Sequence, residues 1–239
     1  MNLSPGYTQD ASQARPLHIV ERGGWESWRD AQPAAVRAWL EAQNFAAAPG
    51  TLALLPDADG LAGAVIGVGD PLDPYSYGHA PFGLPVGDWQ IAGAPEAGIR
   101  AALQLGWGLG SYRFSRYKTP SRAPARLVLD DIDAEAGDLL TASLRVRDWV
   151  NTPTEHMGPE ELEATARAIA QAHGASIAAI AGDDLLAQNY PAIHAVGRAS
   201  HRAPRIIELT WGDASRPHVV ICGKGVCFDT GGLDLKPAD

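Results

Sequence analysis

Residues 218–239 read HVVICGKGVCFDTGGLDLKPAD, and the rest of the chain is best approached from this stretch. The β-branched run Val219-Val220-Ile221 predicts a buried strand over His218–Ile221. Gly223-Lys224-Gly225 then sets a lysine between two residues without side chains. Asp229 follows before Thr230-Gly231-Gly232, and a second lysine, Lys236, precedes Pro237. Two lysines and a carboxylate on one glycine-rich segment exceed what packing requires.

The chemistry open to these groups can be stated in general terms. A lysine amine, with a free pKa of about 10.4, ligates a metal only after losing its proton, and nearby divalent cations favour that loss by charge repulsion. A carboxylate can bridge two cations. A lysine that stays protonated can stabilise negative charge on a carbonyl oxygen. Two plainer readings compete. A phosphate-binding loop needs Gly-x-x-x-x-Gly-Lys-[Ser/Thr], but Gly225 follows Lys224 and no glycine stands five residues before Gly223. A tight turn with a solvated lysine explains Lys224 alone, but not the rest of the segment.

Gly223 to Pro237 resembles the first active-site segment of the leucyl aminopeptidase family, the two-metal cytosolic exopeptidases, with Lys224, Asp229 and Lys236 in register. Arg147-Asp148-Trp149-Val150-Asn151-Thr152-Pro153 resembles the Arg-Asp-Leu-Val-Asn-Thr-Pro opening of that family's catalytic domain. The resemblance implies Lys224 and Asp229 as metal ligands and Lys236 as electrophilic catalyst. It also implies two divalent ions (Mn2+ or Zn2+) in the complete enzyme, peptide substrates, release of N-terminal residues of the leucine type, and a homo-hexamer. The resemblance also implies further ligands downstream, another aspartate and an Asp-x-Glu-Gly-Arg motif with a catalytic arginine, and that motif is not among these 239 residues. The expectation is therefore the front portion of an aminopeptidase, inactive and metal-free by itself. The alternative is a non-catalytic short paralogue serving as a binding or assembly module.

Composition agrees with an ordinary globular protein: 46% hydrophobic and 20% charged. A formal charge of −9 weighs against a nucleic-acid partner. The N-terminal residues are polar, without the apolar core of a signal peptide. No apolar run reaches the roughly 18 residues of a membrane span. With only two cysteines, Cys222 and Cys227, both expected to be buried, the chain is predicted to be cytoplasmic.

Alternating strand and helix patterns predict an α/β fold: an N-terminal α/β domain over 1–135, a linking helix over 136–150, and the start of an α/β catalytic domain with a mixed central sheet over 151–239. Residues 1–16 read as a loose tail. Strands are expected at 17–20, 51–56, 61–68, 125–129, 175–180 and 206–211. Pro33 opens a helix running to about Asn44, with Val36, Trp39, Leu40 and Gln43 inward. Residues 69–95 read as loop, with His79 at the surface. A helix from Ala97 is expected to stop at Gly106, Gly108 and Gly110. The basic, aromatic run Tyr112–Lys118 reads as a solvated loop or interdomain contact. Asp133 is an N-cap, and Pro159-Glu160-Glu161 opens a helix that ends at Gly174. Asp183–Asn189 is a short helix and 191–200 a loop. Gly212-Asp213 is a hairpin turn between strands 206–211 and 218–221. His194 and His201 read as structural or exposed.

Overall fold

A computed structural model describes residues 6–58 and 60–227. The chain divides into two compact units, 1–148 and 149–239.

The first unit is built on a six-stranded sheet. Its strands are β1 (Tyr7–Thr8), β2 (Arg15–Glu21), β3 (Leu52–Asp57), β4 (Gly60–Val68), β5 (Asp88–Ile91) and β6 (Arg126–Val128), in the order β1-β6-β5-β2-β4-β3. All neighbours are parallel except β3 and β4, which form an antiparallel hairpin over the two strands expected at 51–56 and 61–68. A largely parallel sheet needs cover on both faces. On one face Leu17, Ile66, Trp89 and Leu127 meet Leu103 and Trp107 of α4 (Ala97–Ser111) and Leu140 of α5 (Ala134–Asn151). On the other face Val20, Ala53, Leu55 and Val65 meet Trp25 of α1 (Trp25–Asp30) and Leu40 of α2 (Ala34–Ala42). Pairing Leu17 with Ala64 and Ile19 with Ile66 sets these alternating residues on a common face. Of the expected inward face of α2, Leu40 is fully buried and Val36 partly so, whereas Trp39 is 45% exposed and sends its Nε1–H to the Leu54 carbonyl.

Several expectations for this unit are corrected. Residues 1–16 are not all a tail: Tyr7 and Thr8 form β1, Tyr7 is buried, and its hydroxyl donates to the Gln104 carbonyl. The loop-rich 69–95 region contains β5, anchored by the fully buried Trp89, whose indole N–H donates to the Pro85 carbonyl at 3.2 Å. Helix α4 does not stop at its glycines. They are where it presses closest on its neighbours. A Cβ at 106 would strike the Pro74 carbonyl, one at 108 the Tyr7 hydroxyl and Leu140, and one at 110 the Gly78 carbonyl. His79 is not a surface histidine. It precedes the short helix α3 (Ala80–Gly83) without a side-chain cap bond, its Nε2 is buried, and burial holds its pKa below the ordinary 6.5, opposed by the Thr51 and Ser76 backbones. Asp133 does cap α5, its Oδ1 accepting from the Ala136 N–H at 2.8 Å. A second clamp supports it: the Gln104 side chain both donates to and accepts from the Asp133 backbone, at 2.9 Å each.

The second unit holds α6 (Pro159–His173), β7 (Ser176–Ala181), α7 (Asp184–Ala187), α8 (Pro191–Gly197) and β8 (Arg205–Thr210). Helix α6 begins at Pro159, with the Glu161 carboxylate accepting the Gly158 N–H at 2.8 Å, and ends at Gly174, whose φ of +66° is the left-handed stop. Strands β7 and β8 pair antiparallel, Ser176 opposite Thr210 and Ala181 opposite Arg205. Residues 191–197 are helix α8 rather than loop, opened by Pro191. The run His218–Ile221 is not a strand. Gly212-Asp213 makes a local turn, with Asp213 Oδ1 accepting the Ser215 N–H at 2.9 Å, but no hairpin follows. A strand exists only through a ladder with a neighbour, and none of the described segments runs beside these residues.

Candidate functional site

Residues 223–227 form one wall of a cleft of about 550 Å³ within the second unit. Leu162 from α6, Ile193 and Val196 from α8, and Ile206 and Ile207 from β8 give it an apolar floor, and Arg202 and Lys224 stand at its polar side. Gly225 fits closely on α6, since a Cβ there would lie 3.1 Å from the Leu162 Cδ1. Gly225 therefore lets the backbone approach the floor while the lysine before it stays exposed.

Of the three predicted site residues, Lys224 lies on this cleft. Asp229 and Lys236 lie outside the described residues. Among the described residues no group of three or more His, Cys, Asp or Glu side chains could hold a metal ion. The residue types still suit a divalent cation: an amine at Lys224 and a carboxylate five positions on at Asp229. His194 is neither exposed nor a cluster member. Its Nε2 lies 3.0 Å from Asp183 Oδ1 and its side chain is 15% exposed. His201 is exposed.

Sequence reasoning missed the ion-pair lattice behind the cleft. Arg202 donates to the Thr154 carbonyl at 2.8 Å and to Glu161 at 3.0 Å. Arg205, 11% exposed, pairs with both Glu160 and Glu163, and Glu163 also takes Arg167 at 2.6 Å. The Arg167 and Arg205 guanidiniums hold the Glu163 carboxyl below its usual range. The Gly158 amide, with help from Arg202, does the same for Glu161. The lattice fastens the 198–205 segment to the start of α6. Pro159-Glu160-Glu161 carries a signal for it, because two acids in a first helical turn can serve arginines as well as the helix dipole. The buried-cysteine expectation is half corrected: Cys222 is exposed, and Cys227 is partly buried, its thiol pushed up by that burial. A cysteine is buried only where something covers it, and the 218–222 segment is uncovered on both sides.

The profile of the cytosol aminopeptidase family's catalytic domain matches residues 145–239, and that of the M17 aminopeptidase N-terminal domain matches 15–130. The chain belongs to the cytosol aminopeptidase family. A probable cytosol aminopeptidase of Mycobacterium sp. (strain JLS) is 33% identical over 165 residues, covering 59% of this chain and 32% of the relative. The crystal structure of cytosol aminopeptidase from Coxiella burnetii superposes with a TM-score of 0.77 at 32% identity, over 87% of this chain and 46% of that one. The bottromycin maturation enzyme BotP, solved in complex with Mn, shares the fold at a TM-score of 0.62 and 23% identity, over 85% of this chain and 46% of its own. The α/β architecture is thus that of the family. The chain spans about a third of the length of the curated relatives it matches. None of its described helices is long and apolar enough to cross a membrane.

Proposed function

We propose that this chain supplies the N-terminal domain, the linking helix 136–150 and the first ligand segment of a metal-dependent aminopeptidase that releases leucine-type N-terminal residues from peptides. The observation that carries the reading is Lys224, held at a cleft by a glycine-rich wall inside the span matched by the catalytic-domain profile. In this reading Lys224 and Asp229 would hold divalent ions, Mn2+ or Zn2+. When bound, such ions supply Lewis acidity toward the scissile carbonyl and toward water. Lys224 contributes its nitrogen lone pair, and Asp229 contributes negative charge that offsets repulsion between cations. Lys236, as an ammonium, stabilises the negative charge that grows on the carbonyl oxygen. The apolar floor from Leu162, Ile193 and Ile207 offers few polar partners on this side of the site, which strengthens those interactions. The same reading gives a cytoplasmic homo-hexamer with peptide partners and no membrane or nucleic-acid partner.

By themselves the 239 residues offer too few ligands for two cations, so the isolated chain is expected to leave leucine anilides uncleaved with Mn2+ or Zn2+ present. Chelator-sensitive turnover that survives repurification would overturn this. In a polypeptide carrying the whole catalytic domain, Lys224→Ala and Asp229→Ala lower the bound metal. Lys236→Ala lowers turnover by roughly 10²–10³-fold with metals retained. Metal analysis of the purified variants decides the roles: a Lys236→Ala protein as metal-poor as Lys224→Ala removes the distinction.

A further inference from the structure

Between helices α4 and α5 of the first unit lies a groove of about 250 Å³. Leu72 from the segment after β4, Leu105 of α4 and Leu139 of α5 line it. Leu72 is 60% and Leu139 51% exposed. One exposed leucine is ordinary, but these two border the same concavity. Gly98 on α4 gives Leu72 its place, since a Cβ there would come within 3.1 Å of the Leu72 Cδ2. Asp133 and Glu135 are the charged residues of the lining. Asp133 Oδ1 accepts the Ala136 N–H. The Glu135 carboxylate takes no hydrogen bond or ion pair among the described residues. Arg100, the cation of a neighbouring crevice, is paired with Asp131 at 3.8 Å and donates to the Pro95 carbonyl at 2.9 Å. The lining falls entirely between residues 72 and 139, so the walls and the charge are complete within the first unit.

We infer that this groove binds the N-terminal end of an apolar peptide, with a leucine-type side chain between Leu72 and Leu139 and the ammonium on the Glu135 carboxylate. Size, polarity and charge each narrow the ligand. The volume is below the ~300–1,000 Å³ of pockets for drug-sized molecules, which suits one residue rather than a whole peptide. Apolar walls favour hydrocarbon, and a carboxylate without a partner favours a cation. Glu135 and Leu139 stand four positions apart on α5 and are therefore neighbours on one face. A peptide N-terminus matches that spacing, because it carries its ammonium and its side chain on the same carbon. A free amino acid adds a carboxylate, which Asp133 and Glu135 repel. The basic run Tyr112–Lys118 of a second copy matches less well, since Arg113 and Arg116 already lie over the Phe82 and Tyr117 rings. The inference rests on the proposed aminopeptidase reading for why peptide N-termini are encountered, and the groove shares no residue with the Lys224 cleft.

The test titrates the ¹⁵N-labelled 239-residue chain, kept metal-free with a chelator, with leucinamide, which has the ammonium and side chain of a peptide N-terminus and no carboxylate. Saturable shifts are expected at the amides of Gly98, Leu105 and Leu139, with half-saturation at roughly 1–10 mM. N-acetylleucinamide, without the ammonium, binds about tenfold more weakly. Free leucine binds about fivefold more weakly, and glycinamide about tenfold. Glu135→Gln removes the difference between leucinamide and its acetylated form. Leu72→Ala with Leu139→Ala removes the difference between leucinamide and glycinamide. All three side chains are exposed, so circular dichroism of these variants should match the parent. Absence of saturable shifts at the groove, equal binding of the acetylated form, or indifference to Glu135→Gln overturns the inference. Free leucine binding as tightly as leucinamide overturns the choice of a peptide. Concentration-dependent self-association that fills the groove and is lost in Arg113→Glu with Arg116→Glu makes a second copy the occupant and overturns it too. Saturation at the groove, with no hydrolysis by a polypeptide carrying the whole catalytic domain, upholds this site and removes the proposed activity. Hydrolysis there with no shift at the groove does the reverse.

Discussion

The two units spend similar sequence patterns on very different interiors. The first buries Trp89, Trp107, Tyr77, Leu17, Leu40 and Ile66 on two faces of six strands. In the second, Ala170 and Leu185 are the only buried apolar side chains among the described residues. Both units alternate strands and helices, and both contain apolar runs suited to strands. The first resolves its runs by pairing each with another strand of one sheet, whether consecutive, as β3 with β4, or distant, as β1 with β6. The second holds a two-stranded sheet, which is marginal alone, stiffened by the Glu160–Glu163 and Arg202–Arg205 lattice. Hydrophobic pattern is thus a demand for burial, and topology determines whether the demand is met.

The largest expected contrast is in local opening. Thermolysin, which cuts before apolar residues, should cleave first at 219–221, with a product retaining the first unit resisting for roughly a hundred times longer. Electrophoresis and mass measurement of the products check this. Uniform resistance through 221 would mean that the second unit is covered as well as the first.

Glycine substitutions sharpen the contrast next. Gly106→Ala should cost about 1–3 kcal/mol or more, because the new methyl meets the Pro74 backbone, which cannot rotate away as a side chain would. Gly223→Ala meets nothing within 4 Å and should be near neutral. Denaturant unfolding of the pair measures the difference. A neutral Gly106→Ala would mean that α4 can shift off the 71–78 segment.

The smallest effect is a difference in acid sensitivity. Burial lowers the His79 pKa, so the folded first unit resists a proton that the unfolded chain accepts. Its contribution is complete above the ordinary 6.5 and falls as pH drops through that value toward the lowered one. In the second unit Glu163 is held low by Arg167 and Arg205. That contribution is present above the ordinary 4.5 and fades as pH falls through the depressed value. The first unit should therefore begin to soften at a higher pH than the second. Amide exchange between pH 7 and 4 reads both, with His79→Gln shrinking the upper limb, which the half-buried His18 shares, and Glu163→Gln shrinking the lower, which Glu161 shares. A single limb common to both units would contradict this assignment.

Much of the fold was legible because the signals were local. Pro159 and Gly174 bracket α6, and Asp133 opens α5, through hydrogen bonds that span only a few residues. The β3–β4 hairpin follows from two apolar runs and a short turn. Of the candidate site, Lys224 and its flanking glycines were legible as a motif, and the structure adds the cleft on which Lys224 stands. The lattice of Arg202 and Arg205 was not, because it joins acids near 160 to bases more than 40 positions on, with no periodicity to mark it.

By itself, then, the sequence determined where α5 begins and where α6 begins and ends, the α/β class, the register of Lys224, Asp229 and Lys236, and the family those residues resemble. All of these depend on near neighbours or on residue identity. The tertiary structure alone decided that Gly106, Gly108 and Gly110 lie inside a helix, that Tyr7 and Trp89 belong to strands, and that 218–221 is coil. Each of those outcomes turns on what stands across from the residue. A glycine is a stop or a contact according to the backbone opposite it, and an apolar run becomes a strand only when another strand accepts its hydrogen bonds.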